Sequence, residues 1–281
     1  MKFGVIVPQE EIGGDVGALR AFVQAAEAMG FDHLVVFDSV LTENPGYEPL
    51  VLLGLYAGWT QRIGLMTGVI VAPSRPTLLL AKQAATVDVL SGGRLRLGLG
   101  VGWNQDEFTA MGADFQDRGA HIEEQMAVLR ELWTKPQVSF EGRWHTIHNA
   151  TMPPLPVQRP IPLWLGGQAE AVLRRVGRLA DGWIPVDVDP TDAASYDQLQ
   201  QQIARLYGYA EAAGRPRAAV GIEAQGGIEV EHGTEANWAL RVERWRALGA
   251  THLSVNTMGA GLASVDAHIE MLRRVKVVLG S

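Results

Sequence analysis

Eight times along this chain a short apolar run gives way to a stretch with helical spacing, and that rhythm is the signature of a parallel sheet with helices outside it. The runs begin with 3–7, 33–37, 63–71 and 95–99, and continue with 161–165, 181–185, 219–224 and 251–255. They are apolar throughout rather than alternating, as expected of strands covered on both faces. The segments between them predict helices over 16–29, 49–59, 77–90, 117–133, 169–180, 192–213, 234–248 and 264–279. Asp15, Asp192 and Ser264 are suited to cap helix starts, and Gly30 and Gly249 to end helices.

A chain of 281 residues can hold two small domains or one barrel of about 250 residues. Eight strand–helix units favour the closed (β/α)8 TIM barrel over an open sheet. The rhythm is interrupted between about 104 and 160. There a helix, a hairpin around Glu141-Gly142-Arg143 and a proline-rich run from Pro153 to Pro162 read as an insertion at the C-terminal face. It is too short and too polar to hold its own core, so one domain spanning 1–281 is expected.

Lys and Arg number 24 against 31 Asp and Glu, for a net charge of −7, which argues against non-specific nucleic-acid binding. The absence of cysteine excludes disulfides, thiolate metal sites and a cysteine nucleophile. No apolar run approaches the roughly 18 residues that span a bilayer, and the N-terminal run is too short for a signal peptide. A soluble cytoplasmic protein is the expectation.

In such a barrel the site lies at the C-terminal strand ends. These carry Asp38 and Ser39, residues 68–73, Gly100 to Asn104, Gly166 to Gln168, Pro185 to Asp187, Gln225, Asn256 and Thr257. Glycines at 98, 100 and 102, with Trp103 after them, strip the backbone bare beside one large ring, which suits a flat ligand. Gly166-Gly167 precedes a helix whose first N–H groups can hold a phosphate. The glycine-rich loops at 225–227 and 258–261 are equally placed to do so. The histidines at 33, 121, 145, 148, 232, 252 and 268 avoid the strand ends. His33 and His252 fall at strand starts, the structural face. No trio of His, Asp and Glu at metal spacing ends these strands. A flat phosphorylated ligand gripped mainly by backbone points to a flavin-like cofactor. Trp103, Phe108, Met111 and Phe140 would make an apolar lining, with the loop from Thr42 to Glu48 bearing on the substrate.

The motifs taken together resemble the luciferase-like monooxygenase superfamily, and within it the actinobacterial oxidoreductases that use the deazaflavin coenzyme F420. They are Val35-Val-Phe-Asp38, Thr67-Gly-Val-Ile-Val-Ala-Pro73, the run from Ala81 to Arg94, Leu97-Gly-Leu-Gly-Val-Gly-Trp103, Phe115-Gln-Asp-Arg118, and Pro162-Leu-Trp-Leu-Gly-Gly167 through Trp183. The resemblance implies a bacterial luciferase-like barrel and a deazaflavin lying across the third and fourth strands. It also implies a non-proline cis peptide at Gly68–Val69, a phosphate at Gly166 to Ala169, and a homodimer. The residues it assigns to the cofactor are Asp38, Gly68, Val69, Gly100, Gly102, Trp103, Gly166, Gly167, Gln168 and Ala169, with Asp38 and Ser39 as the catalytic candidates. Ser39 stands where several F420-using relatives carry histidine, and Trp103 where sugar-phosphate dehydrogenases carry an acid, so the sugar-phosphate reaction does not transfer. The alternatives are an FMN-dependent monooxygenase fed by a separate reductase, and a cofactor-binding barrel without turnover.

Overall fold

A computed structural model of the chain describes residues 1–41, 46–186, 188–231 and 233–280. Residues 42–45, Asp187, His232 and Ser281 lie outside the described residues. The chain begins with β1 (Lys2–Ile6), α1 (Gln9–Ile12), α2 (Val16–Ala28), β2 (His33–Val36), α3 (Pro49–Trp59), β3 (Gly64–Thr67), β4 (Ile70–Val71), α4 (Thr77–Ser91) and β5 (Leu95–Gly100). Next come α5 (Gln105–Ala110), α6 (Arg118–Thr134) and the hairpin β6 (Val138–Glu141) and β7 (Thr146–Ala150). The remainder is β8 (Leu163–Gly166), α7 (Glu170–Leu179), β9 (Gly182–Ile184), α8 (Ala193–Ala212), β10 (Gly221–Glu229), α9 (Glu235–Ala247), β11 (His252–Asn256) and α10 (Val265–Leu279).

The strands run in the order β3-β2-β1-β11-β10-β9-β8-β5, all parallel, and β3 pairs with β5 to close an eight-stranded barrel. The expected caps are present. Asp15 accepts from the Gly17 N–H, Asp192 from Ser195 and Ser264 from Ala267. Inside the barrel Ile6, Val35, Met66, Trp164 and Ile184 form a separate apolar plug. The larger core fills the space between sheet and helices.

Three differences from the sequence reading bear on the site. The third strand is broken. β3 ends at Thr67, the Gly68–Val69 peptide is cis as the resemblance implied, and β4 resumes the pairing with β5 as Ile70↔Leu99 and Val71↔Gly100. Thr67 bridges the break, its Oγ1 donating to the Gly98 carbonyl at 2.8 Å and accepting from the Gly98 N–H at 2.9 Å. The seventh strand, β10, continues five residues beyond Ala224 to Glu229, with a register shift between Ala224 and Ile228. Gln225-Gly226-Gly227 is therefore a bulge inside a strand and not a loop after it. Lastly, α6 packs beside α4 and α7 and buries Ile122, Met126, Leu129 and Trp133 in the common core. It is the outer helix that follows β5, so the additions to the barrel are α5 and the β6–β7 hairpin on either side of it.

The N-terminal end of the barrel is closed by charge. Glu223 is wholly buried and takes hydrogen bonds from His33 Nε2 at 3.1 Å and Arg96 Nη2 at 2.8 Å. The Arg96 guanidinium lies 4.5 Å from the Trp164 ring centre, and His252 meets the same ring edge-on. Burial opposes ionisation of Glu223, but His33 and Arg96 outweigh it and hold its pKa down at about 2. His33 and His252 thus serve the structural face.

Candidate active site

At the opposite, C-terminal mouth lies a cavity of about 950 Å³, within the range of small-molecule and cofactor sites. Gly68, Val69, Gly100, Gly102, Trp103, Gly166, Gly167 and Asp38 all line it, so the structure brings together most of the residues expected at the site. The apolar part of the wall comes from Ile6, Phe37, Val69, Val71, Val186 and Val188. Phe108, Met111 and Phe140 do not line it. Phe108 is buried edge-on to Phe115 and backs Gly102, and Phe140 packs against the core and His145. Of the four residues expected to make an apolar lining, only Trp103 reaches the cavity.

Val69 explains two of the glycines. A Cβ at Gly100 would lie 2.6 Å from Val69 Cγ2, and one at Gly166 would lie 2.9 Å from Val69 Cγ1. The side chain at the cis bond is wedged between two bare strand ends, and the wall is smooth because nothing else projects there. Gly100→Ala should therefore push Val69 out of place and cost about 1–3 kcal/mol, read as a shift in the urea midpoint. Adding Val69→Ala in the same chain should recover most of that loss.

Gln225, brought into the barrel by the β10 bulge, donates from Nε2 to the Gly68 carbonyl at 2.9 Å. Its Oε1 is buried and has no hydrogen-bond partner among the described residues. The Asp38 side chain is almost fully buried, and both its oxygens are engaged. Oδ2 accepts from the Val71 N–H at 3.0 Å, and Oδ1 pairs with Arg75 Nη2 at 2.7 Å. Arg75 also pairs with Glu48 at 2.9 Å, the residue that caps α3. Ser39 is exposed and its hydroxyl donates to the Leu41 carbonyl at 3.4 Å. It stands outside the wall.

On the β8 side, Gly167 has φ +118 and its N–H donates to the Ile184 carbonyl. Gln168 turns its side-chain amide to the Val186 carbonyl, and its own carbonyl accepts from Gln202 at 3.3 Å. Ala169 occupies the N-cap position of α7 and offers no side chain to the first turn, so that helix end remains open to an external acceptor.

Sequence reasoning missed the polar rim formed by Asp189, Glu229 and Arg241. Arg241 comes from within α9 and is nearly buried. Its Nε donates to the Gly227 carbonyl and its Nη1 pairs with Asp189, both at 2.9 Å. Burial works against the charge on Asp189, but hydrogen bonds from Thr191 and the Arg241 guanidinium prevail and keep its pKa below the usual range. Asn256 Nδ2 donates to Glu229 at 2.8 Å. The mouth is therefore richer in ionisable groups than the strand ends suggested. Among the described residues no group of three or more His, Asp or Glu is placed to hold a metal, and no helix is long and apolar enough to cross a membrane.

A closed parallel barrel with its cavity at the C-terminal mouth and a bare-backbone wall across β3, β5 and β8 defines a (β/α)8 enzyme. The chain belongs to the luciferase-like monooxygenase family, whose profile matches residues 1–271, and like that family's members it is an oxidoreductase. It is 33% identical over 212 residues to an uncharacterised protein of Mycobacterium tuberculosis, covering 68% of this chain and 71% of that one. It is 31% identical over 195 residues to an F420-dependent glucose-6-phosphate dehydrogenase of Nakamurella multipartita, covering 66% of this chain and 56% of the relative. It is 26% identical over 202 residues to an FMNH2-dependent dimethylsulfone monooxygenase of Pseudomonas putida, with 69% and 54% covered. An F420-dependent secondary alcohol dehydrogenase, solved with an F420–acetone adduct, shares the fold at a TM-score of 0.79, with 16% identity and 98% of both chains covered.

Proposed function

We propose that this chain is an F420-dependent oxidoreductase that moves a hydride between the deazaflavin and a small organic substrate. The observation that carries the reading is the smooth wall of Gly100, Gly166 and Val69 beside the open N-terminus of α7. The residues present fit such a cofactor. The wall can lie against a flat ring, the buried Gln225 Oε1 offers an unused acceptor, and the N–H groups of Gln168 and Ala169 with the first turn of α7 offer backbone donors to a phosphate, while Gly167, whose own N–H is given to Ile184, leaves it room to approach. The greater identity to the F420-dependent relative than to the FMNH2-dependent one supports the deazaflavin as occupant.

When bound, the deazaflavin supplies a ring carbon that gives or accepts a hydride. The protein's own part is placement. Val69 and its neighbouring valines exclude water, and Gln225 is held in one orientation by the Gly68 carbonyl. Asp38, already committed to Val71 and Arg75, fixes the β4 wall and so acts as a positioning residue. The Ser39 hydroxyl can donate a hydrogen bond but cannot serve as a base near neutral pH.

The test is a fluorescence titration of cofactor-free protein with F420 and, separately, with FMN. Binding of F420 in preference to FMN is the expected result. Preference for FMN would move the chain to the monooxygenase branch with its separate reductase. Binding of neither would overturn the reading, and binding without hydride transfer to any substrate would leave a carrier barrel.

A homodimer is part of the same proposal. α3 carries no charged residue from Pro49 to Trp59, although it lies on the outside of the barrel. On it and the adjacent α4, Val51, Leu55, Leu78, Leu79 and Leu90 are exposed. A helix apolar all round is one that is normally covered. Leu79→Glu is expected to convert a dimer to a monomer in light scattering. A wild type that is monomeric at tens of micromolar would remove the proposal.

A further inference from the structure

Trp103 is the most exposed large apolar side chain of the described residues, at 87%, yet it stands at the rim of the cavity. An isolated surface tryptophan on a loose loop would carry little meaning. This one stands on a fixed base. The Gly102 carbonyl on one side accepts from Arg118 Nε at 3.2 Å, and the Arg118 guanidinium is itself laid 3.7 Å over the Phe115 ring. On the other side Asn104 Oδ1 accepts from the N–H groups of Asp106 at 3.0 Å and Glu107 at 3.3 Å, starting α5. Behind Gly102, whose φ is +76, Phe108 leaves no room for the turn to settle inward, since a Cβ there would lie 2.8 Å from its ring. Both flanks of Trp103 are thus pinned, while among the described residues no ring or cation is stacked on its own ring.

We infer that Trp103 is the platform for the substrate, and that the substrate is an uncharged molecule with a flat aromatic or conjugated face. This rests on the oxidoreductase reading of the cavity. The resemblance gives this residue to the cofactor; its 87% exposure, beside glycines that already offer bare backbone to a flat ring, argues instead for the molecule that enters afterwards. The charge of the partner follows from the neighbours. Gly102 and Val101 before it in the chain, and Val71 packed against Gly102, are the cavity residues at its base, and none carries charge. Asp38 is matched by Arg75 and Arg241 by Asp189, while Glu229 takes a hydrogen bond from Asn256 Nδ2, so neither guanidinium is left over for an anionic partner. A ring face attracts flat apolar surface and gives it orientation at little entropic cost.

Three ketone and acid probes separate the possibilities: 2-acetylnaphthalene, which is flat and neutral; 2-naphthoate, flat and charged; and cyclohexyl methyl ketone, neutral and not flat. Their affinities are measured by calorimetry on the full chain, with and without saturating cofactor, for wild type, Trp103→Phe and Trp103→Ala. The expected result is that 2-acetylnaphthalene binds best to wild type, loses about tenfold in Trp103→Ala and stays within about threefold in Trp103→Phe. F420 affinity should be unchanged in both variants. Equal binding of 2-acetylnaphthalene to wild type and Trp103→Ala would overturn the inference. So would a parallel fall in F420 affinity, which would give the ring to the cofactor, or a preference for 2-naphthoate. If FMN replaces F420 as the preferred cofactor, the same series run with FMN decides the platform separately from the cofactor reading.

Discussion

Glu223→Ala is expected to lower the unfolding free energy by about 3–5 kcal/mol. The carboxylate sits between His33 and Arg96 with no access to water, so its removal leaves the Arg96 charge buried without its counter-ion. Arg96 Nη1 already has no hydrogen-bond partner among the described residues, so no second acceptor stands ready. The double variant Glu223→Leu with Arg96→Leu removes both charges and should be far less damaging, because breaking a buried pair costs more than replacing it whole. Urea titrations of the three proteins check this, and equal losses in single and double variants would refute it. The same network gives an acid limit. Glu223 is depressed from 4.5 to about 2, so its contribution is complete above pH 4.5 and is lost as pH falls towards 2. His252 is depressed from 6.5 to about 3, chiefly by burial and then by Arg96. Below pH 6.5 the unfolded chain therefore takes up its proton before the folded one. Both groups make stability fall on acidification, His252 beginning first.

Gly167→Asp is expected to weaken cofactor binding on the order of a hundredfold or more. It would place a carboxylate beside the open N-terminus of α7, where the proposed phosphate is received. Position 167 also has φ +118, which any side chain resists, so Gly167→Ala is the necessary companion. The alanine variant carries the backbone strain without the charge. A much larger loss for aspartate than for alanine, with both proteins folded by circular dichroism, supports the phosphate at β8. Unchanged affinity in Gly167→Asp would remove that site, leaving the glycines of the β10 bulge or of residues 258–261 to be tried.

The barrel was legible because its evidence is local and repeated. The helix over 49–59 was read to the residue, and the caps at Asp15, Asp192 and Ser264 form as their side chains suggest. The bare backbone at 100, 102, 166 and 167 was legible for the same reason. What failed depended on distant partners. Gln225-Gly226-Gly227 reads as a turn, and only the pairing of β10 with β11 makes it a bulge that carries Glu229 to the mouth. Arg241 lies in mid-helix and reveals nothing of Gly227 or of Asp189, which is 52 positions earlier by residue number. Asp38 was visible as a strand-end acid, but its commitment to Arg75, 37 residues on, was not.

The attachment of α6 has a consequence for recombination between relatives. Gln125 Nε2 donates to the Ala72 and Arg75 carbonyls and to Thr77 Oγ1, Trp133 Nε1 donates to the Ala81 carbonyl, and Arg118 holds the Gly102 carbonyl. The stretch between β5 and β8 is therefore stitched to the wall on which the Asp38–Arg75 pair rests. A chimera that grafts residues 104–160 from another member of the family would import a specificity segment together with half of a shared foundation. Only grafts that also carry the donor's 72–81 should keep the host's chemistry while changing what it accepts.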